Sequence, residues 1–358
     1  MFQKLKHKYA HARASQKKIW LLTCVGIVLV FLIVMTALFV VRSHNKPTSS
    51  VSSVPESGAT QVRDPLTGMF VDQVHANQQV YGVMIDEHVD ARPQSGIDQA
   101  FLVIEAPVEA GIPRLLAFFS QDEKVDKIGP IRSARPYYVD WALEFGALYT
   151  HVGGSNEALD KITTGATFDL NQFWHDPQFW RSTDRDAPHN VYTSTDRLGA
   201  YVKAKQDAGR PAPLYGVWKF KTTKPEEVFP SRFTISYTNP DYVFSWGYDV
   251  AQKTYVRLFD DQIMKTKEGN EIHADNVAVV ITDVAVIDTY GRKSVRTTGQ
   301  GTAYVFQDGT KTEAIWKKPT ASERLRFFNK DGTEMEMNPG HTWIEVIGDE
   351  SQLNHLEP

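Results

Sequence analysis

The sequence is almost without cysteine. Its one cysteine, Cys24, lies inside the N-terminal apolar run, so the rest of the chain holds no disulfide, no thiolate metal site and no cysteine nucleophile. Cysteine-dependent peptidases and transpeptidases are excluded, and the globular part must be held by its core. Acidic residues are absent from the first 46 positions, which carry eight Lys and Arg. The remainder has 31 Lys and Arg against 43 Asp and Glu, a net of −12. A surface that acidic repels nucleic acid on average, so no nucleic-acid partner is expected and an anionic ligand needs a local basic site. The histidines His151, His175, His189 and His273 lack the i, i+4 helical spacing or paired motif of a zinc site. No metal and no cofactor is expected.

What is present begins with residues 19–41, IWLLTCVGIVLVFLIVMTALFVV, a run without charge. At 1.5 Å per residue a helix of that length crosses a hydrocarbon core of about 30 Å, and the run is too long for a cleaved signal peptide. Lys4, Lys6, Lys8, Arg13, Lys17 and Lys18 precede it, whereas only Arg42 and Lys46 follow closely. The positive-inside bias puts the N-terminus in the cytoplasm and the rest outside. The expectation is a basic cytoplasmic tail at 1–18, a transmembrane helix at 19–41 whose partner is the lipid bilayer, and a Ser/Thr/Pro-rich flexible stalk at 42–63.

Beyond the stalk the expected fold class is α+β: a mixed α/β domain at 64–214 followed by a mainly antiparallel β domain at 215–358. Short apolar runs at 80–85, 101–105, 114–119 and 147–152 have strand length. Helices are expected after Ser133, with Pro136 in the first turn, after Ser155, and from about 194 to 206. The second half reads as strands at 232–237, 242–248, 254–258, 276–281, 303–306, 313–316, 325–328 and 342–346, separated by turns such as Asp308-Gly309. Gly299-Gln300-Gly301 reads as a turn between strands. The two halves are expected to pack together, because no second stalk separates them.

Four loops gather charged and turn-forming residues at strand ends: 91–96 (ARPQSG), 127–135 (KIGPIRSAR), 151–155 (HVGGS) and 185–192 (RDAPHNVY). In KIGPIRSAR, Arg132 and Arg135 flank Ser133 at a helix start, where free N–H groups, the helix dipole and bidentate guanidiniums suit a phosphate or carboxylate. The other open reading pairs these arginines with acids such as Asp126, Asp140 or Glu105. Gly153 and Gly154 let backbone approach a ligand, and Ser155 can start a second helix. His189 can act as acid or base near neutral pH. The sharper reading brings His151, His189 and Asp184 into one catalytic cleft with the arginines; the plainer one leaves both histidines satisfying buried backbone groups. Trp174, Trp180, Trp246, Trp316 and Trp343 could stack on sugar rings, but in strands such residues are more often core or cross-strand pairs.

The order of these strings resembles the YerB-like family, whose members look like bacterial envelope lipoproteins and share a domain of unknown function in two parts. The likeness is carried by Asp64-Pro65-Leu66-Thr67-Gly68, Arg92-Pro93-Gln94-Ser95-Gly96, Glu105 with Glu109, Arg114, KIGPIRSAR, His151-Val152-Gly153-Gly154-Ser155 and Ala187-Pro188-His189-Asn190. In the second half it rests on Asn276-Val277, Gly299-Gln300-Gly301, Trp316-Lys317 and Gly340-His341-Thr342-Trp343. The resemblance implies an extracytoplasmic envelope location and no assigned biochemistry. A spanning helix stands where that family would carry a lipidated cysteine.

Two functions are therefore open. One is a binding module whose basic cleft, built from Arg92, Arg114, Arg132, Ser133, Arg135, Gly153, Gly154, Ser155, Arg185 and Asn190, holds an anionic cell-wall component or an envelope protein. The other is an envelope hydrolase or transferase with His189 or His151 as acid or base beside Asp184.

Overall fold

The computed structural model describes residues 61–165, 167–210, 215–226 and 228–356, so the expected anchor at 19–41 lies outside the described residues. Among those described, no helix is long and apolar enough to cross a membrane. The last residues of the expected stalk are not coil: Gln61–Arg63 forms a hairpin with Phe70–Asp72. Arg63 locks it by donating to the carbonyls of Gly68 and Lys221.

The short β-branched and aromatic runs become strands. In the first half these include β1 (Val80–Asp86), β2 (Leu102–Pro107), β3 (Pro113–Ser120), β4 (Leu148–His151) and β5 (Asp169–Asn171). In the second half they include β6 (Arg232–Ser236), β7 (Val243–Asp249), β8 (Thr254–Phe259), β9 (Asn276–Ile281), β10 (Gly299–Gln307) and β11 (Thr310–Lys318). There follow β12 (Arg326–Phe328), β13 (Thr342–Ile347) and β14 (Leu353–Leu356). The described α-helices are α1 (Pro136–Leu143), α2 (Asn156–Thr164) and α3 (Thr195–Asp207). The fold is α+β with strand predominating.

Ten strands make one sheet in the order β12-β11-β10-β9-β13-β2-β3-β1-β4-β5. Strand β13 stitches the halves together, pairing parallel with β9 on one side and with β2 on the other. The pairings within the second half are mainly antiparallel, and β9 with β13 is a parallel exception. Both are apolar almost without alternation and buried on both faces, which is how parallel strands read. Strands β14, β6, β7 and β8 form a second, antiparallel sheet. Gly299 and Gly301 do not form a turn; they lie in β10, where a side chain on Gly301 would meet the indole of Trp316 on the paired strand.

Alternation along β1 sends Val80 and Met84 to a core shared with Tyr138 and Trp141 of α1 and Ile162 of α2. Tyr81, Val83 and Ile85 point the other way, to Phe233, Phe244 and Trp246 of the second sheet and Leu198 of α3. Trp246, Trp316 and Trp343 are core, whereas Trp174 is 79% exposed.

A charge cluster is buried between the two sheets. Arg257 of β8 donates to Glu105 of β2 at 2.6 and 3.1 Å and to Glu345 of β13 at 3.4 Å, and its guanidinium lies 3.7 Å from Glu87. Glu345 also accepts from Tyr237 at 2.8 Å and from Trp246 at 2.9 Å. Burial pushes the carboxyls of Glu345 and Glu87 above their ordinary value of 4.5. An acid raised in this way takes up protons on folding, so its contribution to stability falls as pH climbs from about 4.5 towards and past neutrality. Denaturant titrations of Glu345→Gln should therefore show a shallower loss of stability between about pH 5 and pH 8 than wild type. The comparison cancels the opposite contribution of His341, which burial holds below its usual value. An unchanged slope would mean that Glu345 stays ionised throughout.

Candidate site at the carboxyl ends of the parallel strands

The loop 127–135 is the hub of the site because it threads between the ends of β1 and β4. Asp86 N–H donates to the Pro130 carbonyl at 2.9 Å, Arg132 N–H to Met84 at 2.9 Å, and Val152 N–H to Arg132 at 3.1 Å. The same loop meets residues 91–96 through a bridge between Ser95 and Gly129, and residues 185–192 through Ile131 N–H donating to Val191 at 2.8 Å. The bonds Arg92-Pro93, Gly129-Pro130 and Ala187-Pro188 are cis. Three loops distant in sequence thus share one backbone network.

Two helix starts open on one cavity. Helix α1 begins after Arg135 with Pro136 in its first turn, and α2 begins after Ser155, whose hydroxyl accepts from Ala158 N–H at 3.3 Å. A parallel bridge between Ala134 and Gly154 sets the two starts side by side. Ser133, Arg135, Gly154 and Ser155 line a cavity of about 530 Å³ together with Glu109, Asn156, Tyr290 and Arg292. Arg135 grips Glu109 bidentately at 2.6 and 2.7 Å. Its hydrogen bond and charge hold the Glu109 carboxyl below the usual range, against burial. Arg114 is buried behind, donating to the Ser133 carbonyl at 2.7 Å. Burial lowers the Arg114 pKa, and the positive charges of Arg135 and Arg132 lower it further. Three guanidiniums here face the carboxylates of Asp86 and Glu109.

A second group collects on Asp86, the last residue of β1 and almost wholly buried. Its Oδ2 receives His189 Nδ1 at 2.6 Å and lies 3.1 Å from Arg132 Nε, while Oδ1 accepts from His88 N–H at 3.1 Å. The imidazoles of His88 and His189 stack with centroids 4.7 Å apart. Arg185 donates to the carbonyls of Asp90, Ala91 and Pro93, which fastens the 185–192 loop onto the turn that carries His88 and Asp90.

The remaining expected site residues make contacts within the protein. His151 is fully buried, with Nδ1 on the Gly153 carbonyl and Nε2 on Asp169, both at 2.6 Å. Its two ring nitrogens are thereby engaged internally, as in the plainer reading of that histidine. Arg92 pairs with Glu87 at 3.2 Å beneath the rings of Tyr242, Phe244 and Phe259. Asn190 spends its amide on the Ser182 and Arg185 carbonyls and on Arg181. Gly153 holds φ of 59° and leaves no room for a side chain beside Phe173. Asp184 accepts from Ser182, which holds its carboxyl below the usual range, and it lies 3.9 Å from Lys127 and 3.8 Å from Lys267.

Sequence reasoning passed over Asp86, His88 and Asp90. A signal was available: the apolar run VYGVMI ends abruptly in DEHVD, dense in carboxylates and histidine at the end of a strand. Tyr290 and Arg292 carried no such signal, because an isolated turn of the second half gives no hint of which cavity it borders.

Residues 66–208 match the family model described as the DUF3048 N-terminal domain, a protein of unknown function, and residues 233–344 match its C-terminal domain. The Bacillus subtilis (strain 168) protein named "Putative lipoprotein YerB" is 32% identical over 305 residues, spanning 83% of this chain and 89% of the relative. The crystal structure of the YerB protein from Bacillus subtilis superposes with a TM-score of 0.73 at 29% identity, covering 83% of this chain and all of that one. The chain belongs to the YerB-like family defined by the two-part DUF3048 domain.

Proposed function

We propose that this chain is a membrane-anchored, extracytoplasmic cell-envelope protein that binds an anionic envelope ligand or partner in the cavity at the two helix starts. The location rests on the apolar run at 19–41 with its charge bias, and on a relative that carries the name of a lipoprotein. The observation that carries the ligand reading is that Ser133, Arg135, Gly154 and Ser155, from two separate loops, line one cavity. The start of α2 supplies N–H donors and a positive dipole end there, α1, which begins with Pro136, adds its dipole end, and Arg135 supplies a fork suited to phosphate or carboxylate. Glu109 occupies that fork in the free protein, so a ligand anion replaces one carboxylate by another group of like charge. Exchange of this kind favours recognition over covalent turnover.

The full chain should retain purified anionic cell-wall polymer in a salt-sensitive manner, and Arg135→Gln should weaken retention about tenfold or more. Retention untouched by Arg135→Gln and by Ser155→Ala would sink the assignment. A second reading is favoured by the 2.6 Å bond between His189 and Asp86, an orientation that suits a general base. Turnover of wall material that His189→Ala abolishes while retention persists would move the protein to the hydrolases or transferases.

A further inference from the structure

The His88, Asp90 and His189 side chains have no part in the anion cavity, yet three elements are spent on bringing them together. His88 and Asp90 flank the start of a 3-10 turn just beyond β1, where His88 Nδ1 accepts from Asp90 N–H at 3.2 Å. His189 comes from a loop about a hundred residues later and is held by Asp86 and, through Arg185, by the same turn. One ligand atom from each of the three lies within 4.8 Å of the other two. An ion on His88 Nδ1 takes the lone pair that otherwise accepts from Asp90 N–H, and that Nδ1 lies 3.4 Å from Asp90 Oδ2. That is the edge expected between neighbouring ligands of a metal ion bound at about 2.0–2.2 Å, which comes to roughly 3.0–3.5 Å.

We infer that His88, Asp90 and His189 form a binding site for a divalent transition-metal ion of the Zn²⁺ class. Two imidazoles and one carboxylate suit a borderline ion and leave further coordination positions open to water or a ligand, as in exchangeable rather than purely structural sites. The support behind His189 is the arrangement such sites use: Nδ1–H donates to the buried Asp86 carboxylate, which fixes the tautomer and leaves the Nε2 lone pair outward. Asp86 also balances Arg132. Asp90 is 69% exposed and His88 about a third exposed, so the ion can enter from solvent and these two side chains can close the remaining distance by rotation.

The plainer account is that His88 caps its turn and pairs weakly with Asp90, with no ion involved. The two accounts separate in a titration of the full chain, free of any polyhistidine tag and stripped with chelator, using Zn²⁺ against a chromogenic competitor and Co²⁺ by visible absorption. One saturable Zn²⁺ per chain is expected, with Co²⁺ d–d bands that Zn²⁺ displaces and a melting temperature that Zn²⁺ raises. Asp90→Asn should weaken binding about tenfold or more and His88→Ala should abolish it, while His175→Ala binds as wild type. If His88→Ala by itself lowers the metal-free melting temperature, the Asp90→Asn comparison decides, since that exposed side chain is not part of the core. Wild type without a saturable ion, or variants at His88 and Asp90 that bind as wild type does, would overturn the assignment.

Discussion

Replacing Arg257 by leucine should cost about 3–5 kcal/mol of stability, enough to leave much of the chain unfolded at physiological temperature. Arg257 is buried and binds Glu105 bidentately, with Glu345 and Glu87 close by, and its guanidinium lies 4.1 Å over Phe244 and 4.4 Å over Trp343. Leucine fills part of the volume but leaves three buried carboxyls with only Arg92 near Glu87. The pull on the charges differs in sign across the cluster. The carboxylates raise the Arg257 pKa against burial, whereas burial raises Glu345 and Glu87 and the neighbouring acids raise them further. In Arg257→Leu those carboxyls must take up protons to stay buried, so the defect should shrink on acidification from about pH 8 to pH 5. Arg257→Lys keeps the charge and should lose less. Urea midpoints at several pH values measure all of this; a loss under about 1 kcal/mol would remove the cluster from the forces that hold the two sheets together.

Glu144→Gln is the mirror experiment. Glu144 closes α1 and is buried against two cations of the second half: Lys318 Nζ at 3.2 Å and Arg324 Nη1 at 3.3 Å, with Leu325 N–H at 3.1 Å. Arg324 is sandwiched by Phe145 and Trp218, and Lys318 also donates to two backbone carbonyls at 2.7 Å. Burial already lowers the Lys318 pKa and presses Arg324 down to about 10. Glutamine can still accept from Leu325, but it cancels the one carboxylate in contact with both cations, at an expected cost of about 3–5 kcal/mol. A base whose pKa falls on folding favours the neutral form in the fold, so its contribution to stability rises with pH up to its unfolded value. The Glu144→Gln defect should accordingly ease under alkali, as Lys318 sheds its proton, whereas the Arg257→Leu defect eases under acid. Equal pH behaviour of the two variants would show that packing, and not charge, dominates both.

Local pattern carried the elements and stopped at their partners. The start of α2 was legible because Ser155 caps it, whereas α1 begins at Pro136 after Arg135, with no side-chain cap and not with Ser133 as the expected cap. Strands such as VYGVMI and NVAVVI were legible from length and branching. Nothing local says that Thr342 lies opposite Leu102, or that Arg257 will find Glu105, since pairing across the chain depends on which faces are left apolar after everything else has packed. The site followed the same rule. KIGPIRSAR and HVGGS were found as loops, and Ser133, Arg135, Gly154 and Ser155 do meet in one cavity. His151 and Arg92 have the composition of site residues, but their partners, Asp169 and Glu87, consume them.

Strand β13 sits near the C-terminal end yet occupies the middle of the ten-stranded sheet. A ribosome delivers β2 long before β13, so during synthesis the LVIEAP strand has a bare edge of unpaired N–H and C=O groups with no neighbour on that side. The nascent first half is therefore a template for pairing with another copy of itself. Closure waits for residues 342–347, and long-range pairings of this kind make folding slow and late. This late strand is the keystone, and a chain cut short before it would be not a smaller protein but an adhesive one.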